Sequence, residues 1–245
     1  MNEVLTEILK SRQVGASGKK RALSAEVSAE VGDFVANIIR ELKPKVSLEV
    51  GLAYGISALY ICDALSEVGA KKHYLIDPNQ TAEWDSIGIE NLRAAGYGGL
   101  VELREQMSHV ALPTLLGEGV KLDFAFIDGW HVFDQVLVDF FYIDKMLRDG
   151  GIVAFDDANW PGVRKAIRFI VKNCQYGIVG CSAAPFSRRD AIAGSLQPAT
   201  RLFKNLLKPE ISDPDRALGL RVGSRCIALR KNSDDTRNIT FFAPF

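Results

Sequence analysis

Residues 48–59, LEVGLAYGISAL, decide how the chain is interpreted. The apolar run 46–50 predicts a short buried strand, and the apolar positions of 56–65 predict a helix directly after it. Gly51 and Gly55 stand in the turn between these two elements. Glycine lets a backbone approach a ligand closely, and the free N–H groups of the first helical turn point towards that ligand. The stretch therefore predicts a cradle for an anion or a nucleotide.

The composition limits the kind of protein this is. The 245 residues fit one α/β domain over 1–245, and thirty basic residues balance thirty acidic ones. This balance argues against a nucleic acid or an anionic membrane as the main partner. No apolar run reaches the ~20 residues of a membrane span, and the first residues do not resemble a signal peptide. The scattered cysteines predict reduced thiols in a cytoplasmic protein: Cys62, Cys174, Cys181 and Cys226.

Strand and helix patterns alternate along the chain. Seven strands are predicted, at 46–50, 72–76, 100–104, 122–127, 152–155, 176–181 and 225–230, and 239–242 is a candidate for an eighth. This order predicts a doubly wound, Rossmann-like, mostly parallel seven-stranded sheet with helices on both faces.

Two further regions flank or interrupt this predicted sheet. Residues 1–43 predict a helical N-terminal segment in which Ser24 caps the second helix. Residues 182–223 predict a loop-rich insertion with a short helix at 200–207, acting as a lid, as an oligomer contact, or as simple disorder.

Acidic residues stand at the ends of four strands of the predicted sheet: Glu49, Asp77, Asp128 and the pair Asp156-Asp157. Ligands of such sheets bind beyond the carboxyl ends of the strands, so these side chains indicate a shared site. The structural alternative is that each aspartate caps the helix that follows its strand.

The glycine turn narrows the class of ligand. A dinucleotide fingerprint requires G-x-G-x-x-G, but Ala53 takes the place of the middle glycine and Ile56 that of the third. A carboxylate at Asp77, after the second strand, can accept both hydroxyls of a ribose. The pattern therefore favours a ligand with a ribose but no pyrophosphate, and S-adenosylmethionine, whose positive sulfonium suits an acidic rim, fits this description.

Two segments carry a resemblance to a known family. EVGLAYGIS at 49–57 and LDFAFIDGWHVFDQ at 122–135, followed by GGIVAFDDAN at 150–159, resemble the motifs of class I S-adenosylmethionine-dependent methyltransferases. Within that class they are most similar to the metal-dependent catechol and caffeoyl-CoA O-methyltransferases, while the pair at 156–157 resembles sugar and antibiotic O-methyltransferases. The resemblance covers about residues 25–172 and implies an enzyme that methylates a hydroxyl of a small molecule.

The resemblance also implies a cofactor site. Gly51 and Gly55 would border the methionine part of the cofactor, Ser57 its carboxylate, and Asp77 its ribose. The Gly-Asp that precedes Ser108 in the family is Gln106-Met107 here, which leaves the contact to the adenine amino group unassigned. The implied cofactor-binding residues are Glu49, Gly51, Tyr54, Gly55, Ser57, Asp77, Met107, Ser108, Asp128 and Trp130.

Three aspartates correspond to the family's ligands for a divalent cation such as Mg²⁺: Asp128, Asp156 and Asp157. Carboxylates suit a hard cation, which lowers the pKa of a bound hydroxyl, and like charges gathered without a cation repel one another. His131 aligns with the family's lysine base, and an imidazole titrates near neutral pH. The alternatives are that an aspartate caps a helix without metal, and that His131 only shapes the substrate site.

The sequence thus predicts a magnesium-dependent O-methyltransferase with His131 as general base. Three other functions stay open: a metal-independent methyltransferase acting on nitrogen, a nicotinamide-dependent oxidoreductase, and a non-catalytic cofactor-binding module. The apolar segment 241–245, FFAPF, suggests a homodimer contact.

Overall fold

A computed structural model describes residues 2–15, 20–182, 215–220 and 223–245. Its elements are α1 (Glu3–Ser11), β1 (Gln13–Val14), β2 (Arg21–Ala22), α2 (Ala29–Leu42), β3 (Val46–Val50), α3 (Ile56–Glu67), β4 (Lys72–Ile76), α4 (Ile87–Ala94), β5 (Val101–Arg104), α5 (Ser108–Gly117), β6 (Leu122–Ile127), α6 (Phe133–Met146), β7 (Leu147–Phe155), α7 (Pro161–Asn173), β8 (Tyr176–Cys181), a 3-10 turn (Asp215–Leu218) and β9 (Ile227–Lys231). None of these helices has the length and apolar character that a membrane crossing needs.

Seven strands form the main sheet in the order β5-β4-β3-β6-β7-β9-β8. The neighbours from β5 to β7 are parallel, and β9 runs antiparallel to β7 and β8. This confirms the predicted mostly parallel seven-stranded sheet. Because β6 pairs in register with both β3 and β7, Val50, Ile127 and Phe155 end side by side. The residues that follow these three strands therefore share one edge of the sheet.

Helices cover both faces of the sheet, as the doubly wound prediction requires. On one face, α1–α4 contribute residues such as Leu59 to a core that includes Phe126 of β6. On the other face, α5–α7 contribute residues such as Phe140 to a core that includes Ile127. Successive residues of a strand point to opposite faces, which is why one strand serves both cores.

The N-terminal segment differs from its prediction in where the second helix begins. Ser28 caps α2, since its Oγ accepts the backbone N–H of Val31 at 3.3 Å, and the predicted cap at Ser24 is wrong. The carboxylate of Glu26, which lies between the two serines, binds the guanidinium of Arg12. The N-terminal segment also contains two short strands, since β1 and β2 pair in an antiparallel arrangement.

The predicted eighth strand at 239–242 is wrong, because the chain after β9 leaves the sheet and packs on the helices. The ring of Phe245 lies 6.4 Å from that of Phe133 and 5.0 Å from that of Phe169. Lys165 Nζ donates to the carbonyl oxygen of Phe245 at 2.6 Å. The last residues therefore pack against α6 and α7 of their own chain, although Phe242 stays largely exposed.

Most of the predicted insertion at 182–223, including the helix predicted at 200–207, lies outside the described residues. Its two ends are fixed to the sheet and to α7. Ser182 N donates to the carbonyl of Cys226 at 2.8 Å, and Cys226 N donates to Ser182 Oγ at 2.9 Å. Asp215 accepts hydrogen bonds from Arg164 and Arg168 at 2.9 and 2.6 Å. The lid and oligomer roles of this segment stay predictions.

Candidate active site

A cavity of about 360 Å³ lies at the carboxyl edge of the sheet. Its walls are the β3–α3 turn, the loops after β4, β5 and β6, and residues 25–27 of the N-terminal segment. Nine of the predicted site residues line it: Gly51, Ser57, Asp77, Met107, Ser108, Asp128, Trp130, His131 and Asp157. Glu49, Tyr54, Gly55 and Asp156 are not among its lining residues. The structure thus brings these nine residues together on one cavity, and their roles stay predictions.

Neighbouring backbone approaches the glycine turn so closely that side chains would not fit there. Gly51 has φ +92°, and a Cβ built on it would lie 2.1 Å from the carbonyl oxygen of Asp128. Gly55 has φ +77°, with the carbonyl oxygen of Gly88 3.0 Å from its own Cβ position. A Cβ on Gly88 would in turn lie 2.4 Å from the carbonyl oxygen of Ala53. Gly88 therefore belongs to the same turn, and the sequence motif alone did not indicate it.

The carboxylate of Asp77 holds the glycine turn in place. Its Oδ2 accepts the backbone N–H groups of Leu52 at 3.1 Å and Ala53 at 2.8 Å, together with Gln80 Nε2 at 3.0 Å. Its Oδ1 accepts the N–H of Asn79 at 2.8 Å. A carboxylate offers about four acceptor positions, so these four donors use most of them. The ribose role of Asp77 stays a prediction, beside a turn-fixing role that the structure adds.

A buried polar network supports the turn from below. Glu49 is fully buried and accepts a hydrogen bond from the hydroxyl of Ser57 in the first turn of α3. Glu49 Oε2 also lies 3.4 Å from Nε2 of the buried His73, whose Nδ1 is 2.9 Å from Ser47 Oγ. This network ties β3 and β4 to the start of α3. Glu49 therefore acts behind the cavity wall, through Ser57, in this structure.

An acidic cluster with one imidazole lines the cavity where the loops after β6 and β7 meet. His131 Nε2 is 3.5 Å from Asp128 Oδ1 and 3.2 Å from Asp157 Oδ2. Donor atoms of these three residues all lie within 4.8 Å of one another, which is close enough for them to hold one metal ion. Asp157 has φ +47°, a left-handed conformation that aspartate tolerates better than most residues.

Asp156, the third predicted metal ligand, has a different partner. Its side chain is fully buried, and its Oδ2 lies 3.2 Å from Nη2 of Arg225. The same guanidinium places Nε 3.4 Å from Asp157 Oδ1 and donates to the carbonyl oxygen of Glu26 at 3.1 Å. Arg225 therefore joins the acidic pair to the N-terminal wall of the cavity. The cation role of Asp156 stays a prediction.

Burial and mutual repulsion dominate the electrostatics of this edge. Burial raises the pKa of Asp128, and the neighbouring Asp156 raises it further. Burial likewise raises the pKa of Asp156, while Arg225 opposes that rise. The carboxylate of Asp128 raises the pKa of His131, because it stabilises the imidazolium. The site therefore favours an added positive charge, whether a metal ion or the sulfonium of a cofactor.

Trp130 lines the cavity, and Trp160 lies beside His131, another lining residue. Trp130 is 62% exposed, so it is not a core residue. Trp160 is also exposed, and its ring lies 5.0 Å from the imidazole of His131. Met107 follows β5 and is partly exposed beside the cavity. These apolar surfaces can flank a planar ligand group without hydrogen bonding to it.

Asp139 and Arg225 line the cavity but were not predicted as site residues. Asp139 lies on the buried side of α6 among apolar residues. A charged residue within the apolar face of a helix can be recognised from the sequence, so this signal could have identified it. Arg225 precedes β9 after a long segment with no motif, so nothing in the sequence marked it.

The comparisons with known proteins agree with this site. Residues 48–158 match a family model described as "Methyltransferase domain". This stretch, which is less than half of the chain, is similar to a methyltransferase domain. The match begins at the strand before the glycine turn and ends just after Asp157, so it contains the turn and the acidic cluster. It leaves out the N-terminal wall and Arg225.

The chain is also similar to curated proteins and solved structures that are named O-methyltransferases. Caffeoyl-CoA O-methyltransferase of Populus kitakamiensis is 29% identical over 64% of this chain and 66% of its own length. Caffeoyl-CoA O-methyltransferase 2 of Zea mays is 28% identical over 58% of this chain and 56% of its own length. The chain thus spans less than two thirds of the length of these relatives.

A solved O-methyltransferase from Bacillus cereus, in complex with SAH, has a TM-score of 0.60 to this structure. It is 20% identical and covers 73% of this chain and 83% of its own, a likeness that shows the fold. Together these findings confirm the predicted resemblance to class I S-adenosylmethionine-dependent O-methyltransferases and the Rossmann-like sheet.

Proposed function

We propose that the methyltransferase domain transfers a methyl group from S-adenosylmethionine to a hydroxyl of a small molecule, with a divalent cation such as Mg²⁺. The observation that carries this proposal is the shared cavity, which is lined by the Gly51 turn and by Asp128, His131 and Asp157. The names of the relatives support the same activity. S-adenosylmethionine, when bound, supplies an electrophilic methyl group on a positively charged sulfur.

The chain's own residues account for the binding of such a donor. Ser57, oriented by Glu49, stands in the first turn of α3, where backbone N–H groups can receive a carboxylate. Asp77 fixes the backbone of the turn, and the acidic lining stabilises the positive sulfonium. Met107 and Trp130 offer apolar surfaces for the base. We propose the complete predicted cofactor set on this basis, with Tyr54 and Gly55 acting through the shape of the turn.

The cluster fits a divalent cation by the chemistry of its donors. Asp128 and Asp157 offer carboxylate oxygens and His131 offers an imidazole nitrogen, all within one ligand sphere. Asp128 and Asp157 would hold the ion, with Asp156, whose Oδ2 lies 3.2 Å from Arg225, as the third predicted ligand. A bound cation would lower the pKa of the acceptor hydroxyl and fix its position.

His131 is the proposed general base. In this role Nε2 accepts the hydroxyl proton, and Asp128 and Asp157, at 3.5 and 3.2 Å, stabilise the imidazolium that results. The same nitrogen cannot bind a cation and accept a proton at once. The pH dependence of turnover therefore distinguishes a base from a metal ligand at this position.

The remaining parts of the proposal concern the setting of the reaction. The four cysteines are free thiols, which supports a reducing, cytoplasmic location. The zero net charge supports a small-molecule acceptor and not nucleic acid or a membrane as the partner. Exposed Phe241 and Phe242 support a homodimer contact through the C-terminal segment.

The test is a turnover assay on the purified chain. S-adenosylhomocysteine formation is measured with the methyl donor and a set of hydroxylated acceptors, with and without EDTA. We expect turnover to stop with EDTA and to return with excess Mg²⁺ or Mn²⁺. Full turnover with the chelator contradicts the metal role of the cluster, and full turnover in Asp156→Ala contradicts the cation role of Asp156.

A metal-independent methyltransferase is the second candidate, and Arg225 is the observation that favours it. Its guanidinium already supplies a positive charge to Asp156 and Asp157 at 3.2 and 3.4 Å. In this alternative Arg225 neutralises the acidic pair and His131 alone takes the proton. Chelator-resistant turnover that disappears in Arg225→Gln would support it.

A further inference from the structure

Asp139 is a buried carboxylate without a full set of partners. It is 1% exposed and lies on the face of α6 that also buries Val136, Phe140 and Ile143. Within the part of the chain that the structure describes, its Oδ1 has no hydrogen-bond partner. Burying a carboxylate in this way costs stability, so a packing role does not explain an aspartate at this position.

The surroundings of Asp139 connect it to the proposed cofactor site. It lines the same cavity as Met107, Ser108 and Trp130. Its Oδ2 lies 3.9 Å from the position that a Cβ on Gly129 would take. Ser108 lies near enough to lower the pKa of Asp139, against the larger rise that burial causes. Asp139 therefore faces the loops after β5 and β6, between the start of α5 and the rim.

No carboxylate stands at the two positions before Ser108. Gln106 and Met107 occupy the two positions before Ser108, and the thioether of Met107 is a weak acceptor. Met107 and Trp130 offer flat or apolar surfaces suited to a purine ring. A purine with an exocyclic amine needs a hydrogen-bond acceptor at its edge, and the free oxygen of Asp139 can supply one.

We propose that Asp139 accepts a hydrogen bond from the exocyclic amino group of the cofactor's adenine and so selects adenine over purines without that donor. The proposal rests on the proposed function, because it requires S-adenosylmethionine or its product in this cavity. It makes Asp139 a specificity-determining residue that the methyl-transfer chemistry itself does not use.

The test compares two ligands and four proteins by isothermal titration calorimetry. The ligands are S-adenosylhomocysteine and its nebularine analogue, in which a hydrogen replaces the 6-amino group. The proteins are the wild type, Asp139→Leu and, as a matched control, Asp134→Leu, which changes an exposed aspartate of the same helix. Asp139→Asn is the conservative variant, because its amide oxygen can still accept.

We expect the wild type to bind S-adenosylhomocysteine about tenfold or more tightly than the analogue, as one hydrogen bond to a charged group implies. Asp139→Leu should bind both ligands at the level of the weaker one, while Asp134→Leu keeps the wild-type preference and Asp139→Asn keeps part of it. The ligand-free Asp139→Leu protein should melt no lower than the wild type, since it loses an unpartnered buried charge.

Several results would overturn the proposal. These are an Asp139→Leu protein that keeps the full preference, a folded one that binds neither ligand, and a wild type that binds both equally. If the leucine variant does not fold, Asp139→Ala replaces it with the same expectations. A wild type that binds neither ligand contradicts the proposed function itself, which separates that failure from the failure of Asp139 as a selector.

Discussion

Replacing Gly51 by alanine tests how the glycine turn is built. The residue has φ +92°, and its added Cβ would meet the carbonyl oxygen of Asp128 at 2.1 Å and the nitrogen of Gly129 at 3.1 Å. The left-handed conformation costs an L-residue about 1–2 kcal/mol. Relieving the overlap with a backbone held in the sheet costs about 1–3 kcal/mol more, by analogy with overpacked cores.

The assay is urea unfolding of Gly51→Ala beside Gly96→Ala. Gly96 is the matched control, because it has φ +85° and nothing within 4 Å of its Cβ position. We expect Gly96→Ala to lose only the conformational part, and Gly51→Ala to lose about 1–3 kcal/mol more. Each kcal/mol should lower the melting temperature by about 2–4 °C. Equal losses in the two variants would refute the close approach of the turn to Asp128.

Three further predictions concern charged groups of the cavity. Burial raises the pKa of Asp139 from 3.8 to about 6, so its ionisation destabilises the fold above pH 6 but not below about pH 4. Asp139→Asn should therefore stabilise the ligand-free protein by at most about 3 kcal/mol at pH 7 and by little at pH 4, as urea unfolding would show. Arg225→Gln should tighten Mn²⁺ binding about tenfold in calorimetry, because a positive charge leaves the acidic cluster, whereas Arg40→Gln on α2 should match the wild type. A base acts in its unprotonated form, and Asp128 raises the pKa of His131, so turnover should rise with pH through a midpoint above 6.5. His131→Ala should be about 10²-fold slower and should not show this rise.

Each of these predictions has an outcome that contradicts it. A stability gain in Asp139→Asn that does not vary with pH would show that the carboxylate is not the titrating group. Unchanged or weaker Mn²⁺ binding in Arg225→Gln would show that its guanidinium does not oppose a cation. Wild-type turnover in His131→Ala at every pH would exclude the residue as the base.

The sheet was predictable because strand and helix periods alternate along most of the chain. The apolar run 122–127 predicted a buried strand, and the glycine turn predicted where β3 ends and the next helix begins. The start of α2 was missed because two serines, Ser24 and Ser28, both precede suitable helical residues. The sequence around them does not show which serine caps the helix, and only the structure identifies the later one.

The candidate site was predictable to the extent that its residues follow strands. Asp128 and Asp157 meet at one edge because β6 and β7 pair in register, which the strand order implies. Arg225 lies just before the antiparallel strand β9, far along the chain from Asp156, so their contact has no local signal in the sequence. Asp77 shows a similar limit, because sequence places it beside the turn but cannot show that four donors already bind its oxygens.

The most direct test of methyl transfer uses S-adenosylmethionine with a deuterated methyl group. The purified chain is incubated with this donor, hydroxylated acceptors and Mg²⁺, and the products are analysed by mass spectrometry. We predict an acceptor that carries one trideuteromethyl group on oxygen, with S-adenosylhomocysteine formed in equal amount. A donor that binds but labels no acceptor, or a label found on nitrogen, would contradict the assignment of this cavity to O-methyl transfer.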